Sequence, residues 1–238
     1  MHFFRLALLG LAIVSLIVAC WLTGCGGGKS DSPAASNPAS AASGSDTAEP
    51  AVPVTTTSGR PRPAPPKPVD PIVLLRTSAG DIQLQLFVEK APQSVDNFLR
   101  NYALRQFYDG TIFHHVETGS MIIGGGYTAD LAPQETRASI YNESQNGLKN
   151  TRGTVAMIRD PENTHSATSQ FFINLADNPD LDFESDETDA AWGYCVFGEV
   201  IAGLDVIDKI AQTSVHEQGD FARLPVTPVV IQSVERIR

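Results

Sequence analysis

Apolar side chains at every second position constrain the fold of residues 71–238 more than any other feature of the chain. Ile82, Leu84, Leu86 and Val88 alternate with other side chains, which is typical of a strand with one buried face. Similar short apolar stretches predict further strands at residues 72–75, 111–116, 121–124, 154–158, 170–174, 195–200 and 229–234. Seven or eight short strands predict an all-β, mainly antiparallel domain, and periodicity leaves a barrel and a sandwich equally open.

Two segments follow the helical period instead. The first predicted helix covers residues 92–103, and Pro92 suits its first turn. The second covers residues 204–211. The side chains expected to face the core are Val95, Phe98, Leu99 and Tyr102 in the first helix, and Leu204, Ile207, Ile210 and Ala211 in the second.

Residues 1–25 have the composition of an export signal. Arg5 precedes an apolar run that ends at Leu22, and this run is short for a membrane-spanning helix. The segment LTGC ending at Cys25 resembles the bacterial lipobox, whose cysteine is lipidated before cleavage, and the segment IVAC ending at Cys20 is a poorer match. We expect lipidation at Cys25, with an uncleaved anchor and plain secretion as alternatives. All three place the remaining chain outside the cytoplasmic membrane.

Residues 26–70 are rich in Gly, Ser, Ala, Thr and Pro and contain almost no large apolar side chains. Such a segment cannot bury enough surface to offset the chain entropy lost on folding. We therefore predict a disordered tether at residues 26–70, followed by one folded domain at residues 71–238.

Composition excludes several functional classes. The formal net charge of −10 argues against a nucleic-acid partner. The three cysteines, Cys20, Cys25 and Cys195, are too few for a disulfide scaffold, and neither they nor the histidines have the spacing of metal ligands. The glycines at 124–126 lack phosphate-binding spacing and instead suit a bend or a close backbone approach. We expect no metal and no cofactor, and a buried, unpaired Cys195.

Several motifs resemble the cyclophilin-type peptidyl-prolyl isomerases, the bacterial branch in particular, and they occur in the order found in that family. They are Ala91-Pro92 with Asn97-Phe98, FYDGTIFH ending at His114, GTVAM ending at Met157, SATSQFFIN ending at Asn174, WGYCVFG ending at Gly198, and GLDV ending at Val206. The resemblance covers residues 72–238. It implies a closed eight-stranded antiparallel barrel capped by two α-helices.

The resemblance also implies a reaction and a site. An X–Pro bond rotates over a barrier of about 18–20 kcal/mol that is set by amide resonance, and the twisted transition state lacks that resonance. A catalyst needs an apolar pocket for the proline ring and donors that favour the twisted amide. The residues placed in these roles are Met121, Ile158, Phe172 and Leu181 in the pocket, Gln170 on the substrate backbone, Arg159 and Tyr194 at the rim, and His114 in support.

The chain departs from the family pattern around this site. His115 stands where the family has its catalytic arginine, and Ser120, Ile123, Ile158 and Asp180 replace a phenylalanine, a glutamine, an alanine and an aromatic residue. A histidine offers fewer donors and is mostly neutral at pH 7, and loss of one donor costs about 10²–10³ in rate.

We therefore expect an isomerase of reduced activity, with His115 and Gln170 as catalytic residues. The alternative is a catalytically weak, chaperone-like module that binds proline peptides on the same barrel. Near its ordinary pKa of about 6.5, His115 gains charge and a second N–H, so activity is expected to rise as the pH falls from about 8 to about 6.

The expected partners follow from the export signal and the resemblance together. They are X-Pro segments of exported polypeptides, and a membrane reached through the N-terminal lipid anchor. The expected location is the cell envelope on the periplasmic side, and the expected assembly state is a monomer.

Overall fold

The structure, a computed structural model, describes residues 69–238. The predicted signal peptide, Cys25 and the predicted tether up to residue 68 lie outside the described residues. Within the described part, no helix is long and apolar enough to cross a membrane.

Eight antiparallel strands close into a barrel. The described residues form ten strands in all, of which β8 and β9 make a separate two-stranded sheet. They are β1 (Ile72–Thr77), β2 (Gly80–Leu86), β3 (Thr111–Glu117), β4 (Met121–Thr128), β5 (Thr154–Met157), β6 (Phe171–Asn174), β7 (Val196–Ala202), β8 (Val215–Gln218), β9 (Phe221–Pro225) and β10 (Val229–Arg236). The barrel order is β1-β10-β3-β4-β6-β5-β7-β2, and every pairing is antiparallel. The predicted all-β class and the eight-stranded barrel are confirmed.

The barrel interior holds the main core. Of the alternating residues in the second strand, Ile82, Leu84 and Leu86 are fully buried, whereas Val88 lies beyond the strand end and is only half-buried. Aromatic rings pack edge to face at the centre, with centroid separations of 5.7 Å for Phe98–Phe171 and 5.6 Å for Tyr108–Phe171. Such ring pairs add favourable geometry to the area that they bury.

The first predicted helix exists, but its winding changes along its length. It begins as α1 (Pro92–Asp96), continues as a π-helix at Asn97–Tyr102 and ends in a 3-10 turn at Ala103–Arg105. Its predicted inward face is buried. The carboxylate of Glu143 accepts hydrogen bonds from the backbone N–H groups of Gln93 (3.0 Å) and Ser94 (2.8 Å), so a distant loop caps the helix start.

The second predicted helix is α2 (Leu204–Ala211), which packs against β2, β3 and β4. Ile207, Ile210 and Ala211 are buried as predicted, but Leu204 is 43% exposed. The prediction for Leu204 was wrong because this residue opens the helix and lies outside the turn that faces the barrel.

The hairpin of β8 and β9 is not part of the barrel and was not predicted. Its strands join through Gly219 and Asp220, since Gln218 pairs with Phe221. Gly219 has a φ of +58°, a conformation that glycine adopts without strain. Of its two strands, β9 packs over β3, and this places the hairpin beside the site described below.

The single free cysteine of the described residues is Cys195, which is buried and directly precedes β7. Burial raises the pKa of its thiol to about 12. The thiol is therefore protonated and unreactive at neutral pH, and its predicted burial and lack of a disulfide are confirmed for residues 69–238.

Candidate active site

The strand register aligns one row of side chains across the outside of the barrel. His115 on β3 pairs with Ile123 on β4, Ile123 with Phe172 on β6, Phe172 with Ala156 on β5, and Ala156 with Val196 on β7. Residues directly opposite in antiparallel strands point to the same face of the sheet. The row therefore runs from His115 across four further strands on a single face.

This face is the outer wall, because the residues next to the row fill the interior. Ile122, Val155 and Ile173 belong to the main core. Outside, a separate apolar cluster, named here the outer-face patch, consists of buried Ala156, Phe172 and Val196 together with half-buried Met121, Ile123, Leu148, Ile158, Leu181 and Tyr194. The structure thus brings together five predicted site residues, namely Met121, Ile158, Phe172, Leu181 and Tyr194.

Gln170 lies at the edge of the patch, one residue before β6, and its position depends on a glycine. A Cβ atom at Gly126 would lie 2.6 Å from the Gln170 Cδ atom. The adjacent Gly125 has a φ of +81° and faces the rings of Tyr108 and Phe171. The predicted structural role of glycines 124–126 is confirmed, and Gly126 leaves the space that the Gln170 side chain occupies.

Tyr194 forms one rim of the patch. Its ring meets Phe172 edge to face at 5.7 Å, and its backbone N–H donates to the Leu181 carbonyl at 2.8 Å. The Arg159 guanidinium lies 4.9 Å above the Tyr194 ring centroid, a cation–π geometry. Burial raises the pKa of Tyr194, so its hydroxyl keeps its proton at neutral pH.

Arg159 itself is buried and faces the loops around the patch. Its Nε donates to the Gly193 carbonyl, Nη1 to the carbonyls of Asp160 and Pro161, and Nη2 to the carbonyl of Asp189, at 2.6 to 3.1 Å. The guanidinium therefore ties two loops together beneath Tyr194. Its geometry suits the positioning of Tyr194 better than contact with a ligand.

His115 stands at the opposite rim among charged neighbours. Its Nε2 lies 3.9 Å from Glu117 Oε2, and Nη2 of Arg223 on β9 lies 3.6 Å from Glu117 Oε1. Burial lowers the pKa of His115, Arg223 lowers it further, and Glu117 acts against both. His115 is therefore neutral at pH 7, and it gains its proton in more acidic solution than its ordinary pKa would give.

His114 lies under the hairpin and not within the patch. Its ring packs against Tyr127 at 4.8 Å and Phe221 at 5.9 Å, and these two rings lie 4.9 Å apart. Among the described residues its Nδ1 has no hydrogen-bond partner. Burial, with a smaller contribution from His115, lowers the pKa of His114 to about 3, so the ring is a neutral packing element that joins β3 to the hairpin.

The sequence did not predict Glu117, Arg223 or Phe221 as neighbours of the site. The dipeptide Gly219-Asp220 is a known two-residue hairpin signal and was the clue that could have located β9. Within residues 69–238 no group of three or more His, Cys, Asp or Glu side chains could hold a metal ion.

Chemically, the arrangement suits a ligand that is apolar on one side and amide-like on the other. The outer-face patch offers an apolar surface. Gln170 and His115 are polar side chains at its border, and Arg223 places a permanent charge beside His115. No nucleophile with an adjacent base lies in the patch itself, so the site favours binding and hydrogen bonding over covalent catalysis.

Comparison with known proteins identifies the family. The family model "Cyclophilin type peptidyl-prolyl cis-trans isomerase/CLD" matches residues 72–236. The chain is 48% identical over 166 residues to peptidyl-prolyl cis-trans isomerase A of Dickeya dadantii, covering 70% of this chain and 84% of that protein. It is also 48% identical over 163 residues to peptidyl-prolyl cis-trans isomerase B of Escherichia coli, covering 68% of this chain and 98% of that protein.

Solved structures agree on the fold. A cyclophilin type peptidyl-prolyl cis-trans isomerase of Cryptosporidium parvum superposes with a TM-score of 0.56 at 23% identity, covering 71% of this chain and 99% of that one. A second structure of that protein, determined in the presence of the dipeptide Ala-Pro, gives a TM-score of 0.55 at 24% identity, covering 70% of this chain and 99% of that one. From its barrel, its family match and its bacterial relatives, the chain belongs to the cyclophilin-type peptidyl-prolyl cis-trans isomerases.

Proposed function

We propose that the outer-face patch is the active site of this isomerase, that it works at a reduced rate, and that its substrates are X-Pro segments of exported polypeptides in the cell envelope. The observation that carries the proposal is the row from His115 to Val196, which sets an apolar surface directly beside polar side chains. The proline ring binds among Met121, Phe172 and Leu181.

The remaining predicted residues have distinct proposed roles. Gln170 and His115 donate hydrogen bonds to the peptide and are the proposed catalytic residues. Tyr194 and Ile158 border the proline ring. Arg159 and His114, both buried, act as positioning residues, the first for Tyr194 and the second for β3 and the hairpin.

The proposed reduced rate follows from the neutral protonation state of His115. A neutral imidazole presents one N–H, whereas an arginine presents five donors and a permanent charge. The burial that lowers the pKa of His115 also favours the alternative function, a proline-peptide-binding chaperone module with little turnover. Catalysis and binding must therefore be measured on the same variants.

The patch is tested with a short Ala-Pro peptide whose cis–trans exchange is followed by NMR. Met121→Gln places a polar group in the patch and should lower kcat/KM about ten-fold through weaker binding. The control is Leu104→Gln, since Leu104 is 58% exposed and lies in the 3-10 turn. Equal activity of the two variants would remove the patch from the mechanism, and peptide binding without acceleration in the unmodified protein would establish the chaperone alternative.

The envelope location rests on residues 1–25 and the predicted anchor at Cys25. Acyl chains hold a protein at a membrane stably when two or more are present. We expect mass spectrometry to find a lipidated Cys25 as the mature N-terminus. Cys25→Ser should release the protein into the soluble fraction, whereas the matched variant Cys20→Ser should stay with the membrane; the reverse result would move the anchor to Cys20.

The proposed unit is a monomer. The closed barrel leaves no strand edge of its own unpaired, so edge-to-edge pairing of barrels is not available. Sedimentation of the lipid-free Cys25→Ser protein at increasing concentration tests this, and a concentration-dependent mass would contradict it.

A further inference from the structure

Two arginines lie at opposite borders of the outer-face patch. They differ in how many of their N–H donors are already bonded within the protein. Arg159 donates four hydrogen bonds to backbone carbonyls and is buried. Arg223 is 39% exposed, and among the described residues its guanidinium contact is the ion pair with Glu117 at 3.6 Å. That distance exceeds a good hydrogen bond, so the N–H groups of Arg223 remain available to a ligand.

The register places Arg223 next to the row that begins at His115. Glu117 and His115 are two positions apart on the outer face of β3, where Glu117 pairs with Met121 and His115 pairs with Ile123. Glu117 lies between the His115 ring and the Arg223 guanidinium, 3.9 Å from the first and 3.6 Å from the second. The guanidinium is thus held beside the border of the patch by a carboxylate on the neighbouring strand.

The hairpin that carries Arg223 is fixed in place. Phe221, two residues before Arg223, packs against Tyr127 and His114, and Leu224, directly after it, is buried. The ion pair with Glu117 shows that the Arg223 side chain points towards β3. A side chain presented from packed neighbours loses little freedom when it meets a ligand.

The twisted prolyl amide has a localised nitrogen lone pair and needs a hydrogen-bond donor that the planar amide does not. Arg159 has given most of its donors to loop carbonyls, and His115 offers few. We propose that Arg223 is a catalytic residue that donates to the twisted amide of the bound X-Pro segment, with Glu117 as the residue that positions it. This proposal rests on the proposed function of the outer-face patch.

The decisive variant is Arg223→Gln, assayed with the Ala-Pro peptide on the full-length protein. We expect kcat to fall about ten-fold to a hundred-fold with little change in the peptide dissociation constant, because the donor acts in the transition state. Arg223→Lys should retain part of the activity, since it keeps the charge and loses the planar set of donors.

The matched control is Arg76→Gln. Arg76 is also an exposed strand arginine ion-paired to a strand glutamate, Glu235, at 3.2 Å. It lies on β1, opposite β6 in the ring of strands. The control removes the same charge from the far side of the barrel, and kcat/KM should stay at the value of the unmodified protein.

A second measurement separates catalysis from hairpin stability. His115→Arg supplies a guanidinium from β3, so it should restore most of the lost kcat in the Arg223→Gln protein and give a smaller gain where Arg223 is present. If Arg223 only stabilised the hairpin, the effect of His115→Arg on kcat would not depend on whether Arg223 is present. The thermal midpoint of each variant shows whether the fold is intact.

Three results would overturn the assignment of Arg223: unchanged kcat in Arg223→Gln, a loss confined to peptide binding, or equal loss in Arg76→Gln. After any of these three results, the proposed function is still supported if Met121→Gln impairs the enzyme. If Met121→Gln is also harmless, the outer-face patch is not the active site, and the role of Arg223 is rejected with it.

Discussion

On the proposed function, the side chain at position 115 supplies one donor and the pH response of the site. His115 is 16% exposed in its side chain and lies between Glu117 and a buried His114. Burial is the largest cause of its lowered pKa. The neutral ring can point one N–H at a ligand and accept with the other nitrogen.

Replacing His115 by arginine should therefore raise activity. We expect His115→Arg to increase kcat/KM about ten-fold, less than the full effect of one donor, because Ile123 and Ile158 also shape the pocket. Exchange kinetics with the Ala-Pro peptide measure the change. His115→Gln serves as the control, since it keeps a neutral donor and should resemble the unmodified protein, and no gain in His115→Arg would show that position 115 does not reach the amide.

The lowered pKa of His115 predicts the direction in which kcat/KM changes with pH. A pKa below the ordinary value of about 6.5 means that His115 gains its proton, its charge and its second N–H only in more acidic solution. We expect kcat/KM to be flat from about pH 8 to about pH 7 and to rise below about pH 6. Glu117 and Arg223 are the charged groups that face the ring. A profile that is unaltered in His115→Ala would assign the titration to another group.

At the scale of elements, the hairpin shows why some of the site could not be predicted. All four residues of β8 are exposed, so no apolar alternation marks this strand. Arg223 and Glu117 are separated by most of the domain, and their ion pair depends on how the hairpin packs over β3. The barrel strands, in contrast, were predictable because each carries apolar side chains that face the core, with a clear period of two in β2.

The bulge in β3 is a second example. The register shifts between Phe113 and His115, which lets Phe113 face the core while His114 and His115 both lie outside the barrel. With strict alternation, His115 would point into the barrel, as Phe113 does. Motif similarity predicted that His115 faces the site, and periodicity alone did not, since a single inserted residue leaves no mark in composition.

The close approach at the third glycine of β4 gives a test at this scale. Gly126→Ala would place a Cβ 2.6 Å from Gln170 Cδ, so the flexible glutamine must move while the strand stays. We expect about a ten-fold loss of kcat/KM, because a displaced donor no longer meets the peptide, with a small change in thermal midpoint. Gly125→Ala is the contrast: its φ of +81° and its ring contacts should make it strongly destabilising. An active Gly126→Ala would show that Gln170 need not occupy this position.

At the scale of the whole molecule, the folded unit includes a residue that composition assigned to the predicted tether. Asp70, placed at the end of the predicted tether, accepts a hydrogen bond from the Val88 backbone N–H at 3.0 Å, and Pro71 accepts one from Leu86 at 3.0 Å. Asp70 adds no apolar alternation. The sequence pattern therefore could not include it in the folded unit, although the Val88 backbone N–H donates to its carboxylate.

The stability of two truncated chains tests where the folded unit begins. A chain beginning at residue 69 keeps both acceptors, and a chain beginning at residue 72 loses both. We expect the shorter chain to be less stable by about 1–3 kcal/mol in urea unfolding, since buried backbone N–H groups lose their partners. Asp70→Ala in the longer chain isolates the carboxylate, and equal midpoints for all three proteins would contradict the role assigned to these residues.

The position of the outer-face patch has one more consequence. On the proposed function, the patch lies on the convex outer wall of the closed barrel, so a polypeptide can lie against it sideways and leave in the same manner. Neither chain terminus has to enter. A proline in the middle of a chain several hundred residues long is therefore as accessible as one near an end, provided that the few residues around it are locally extended.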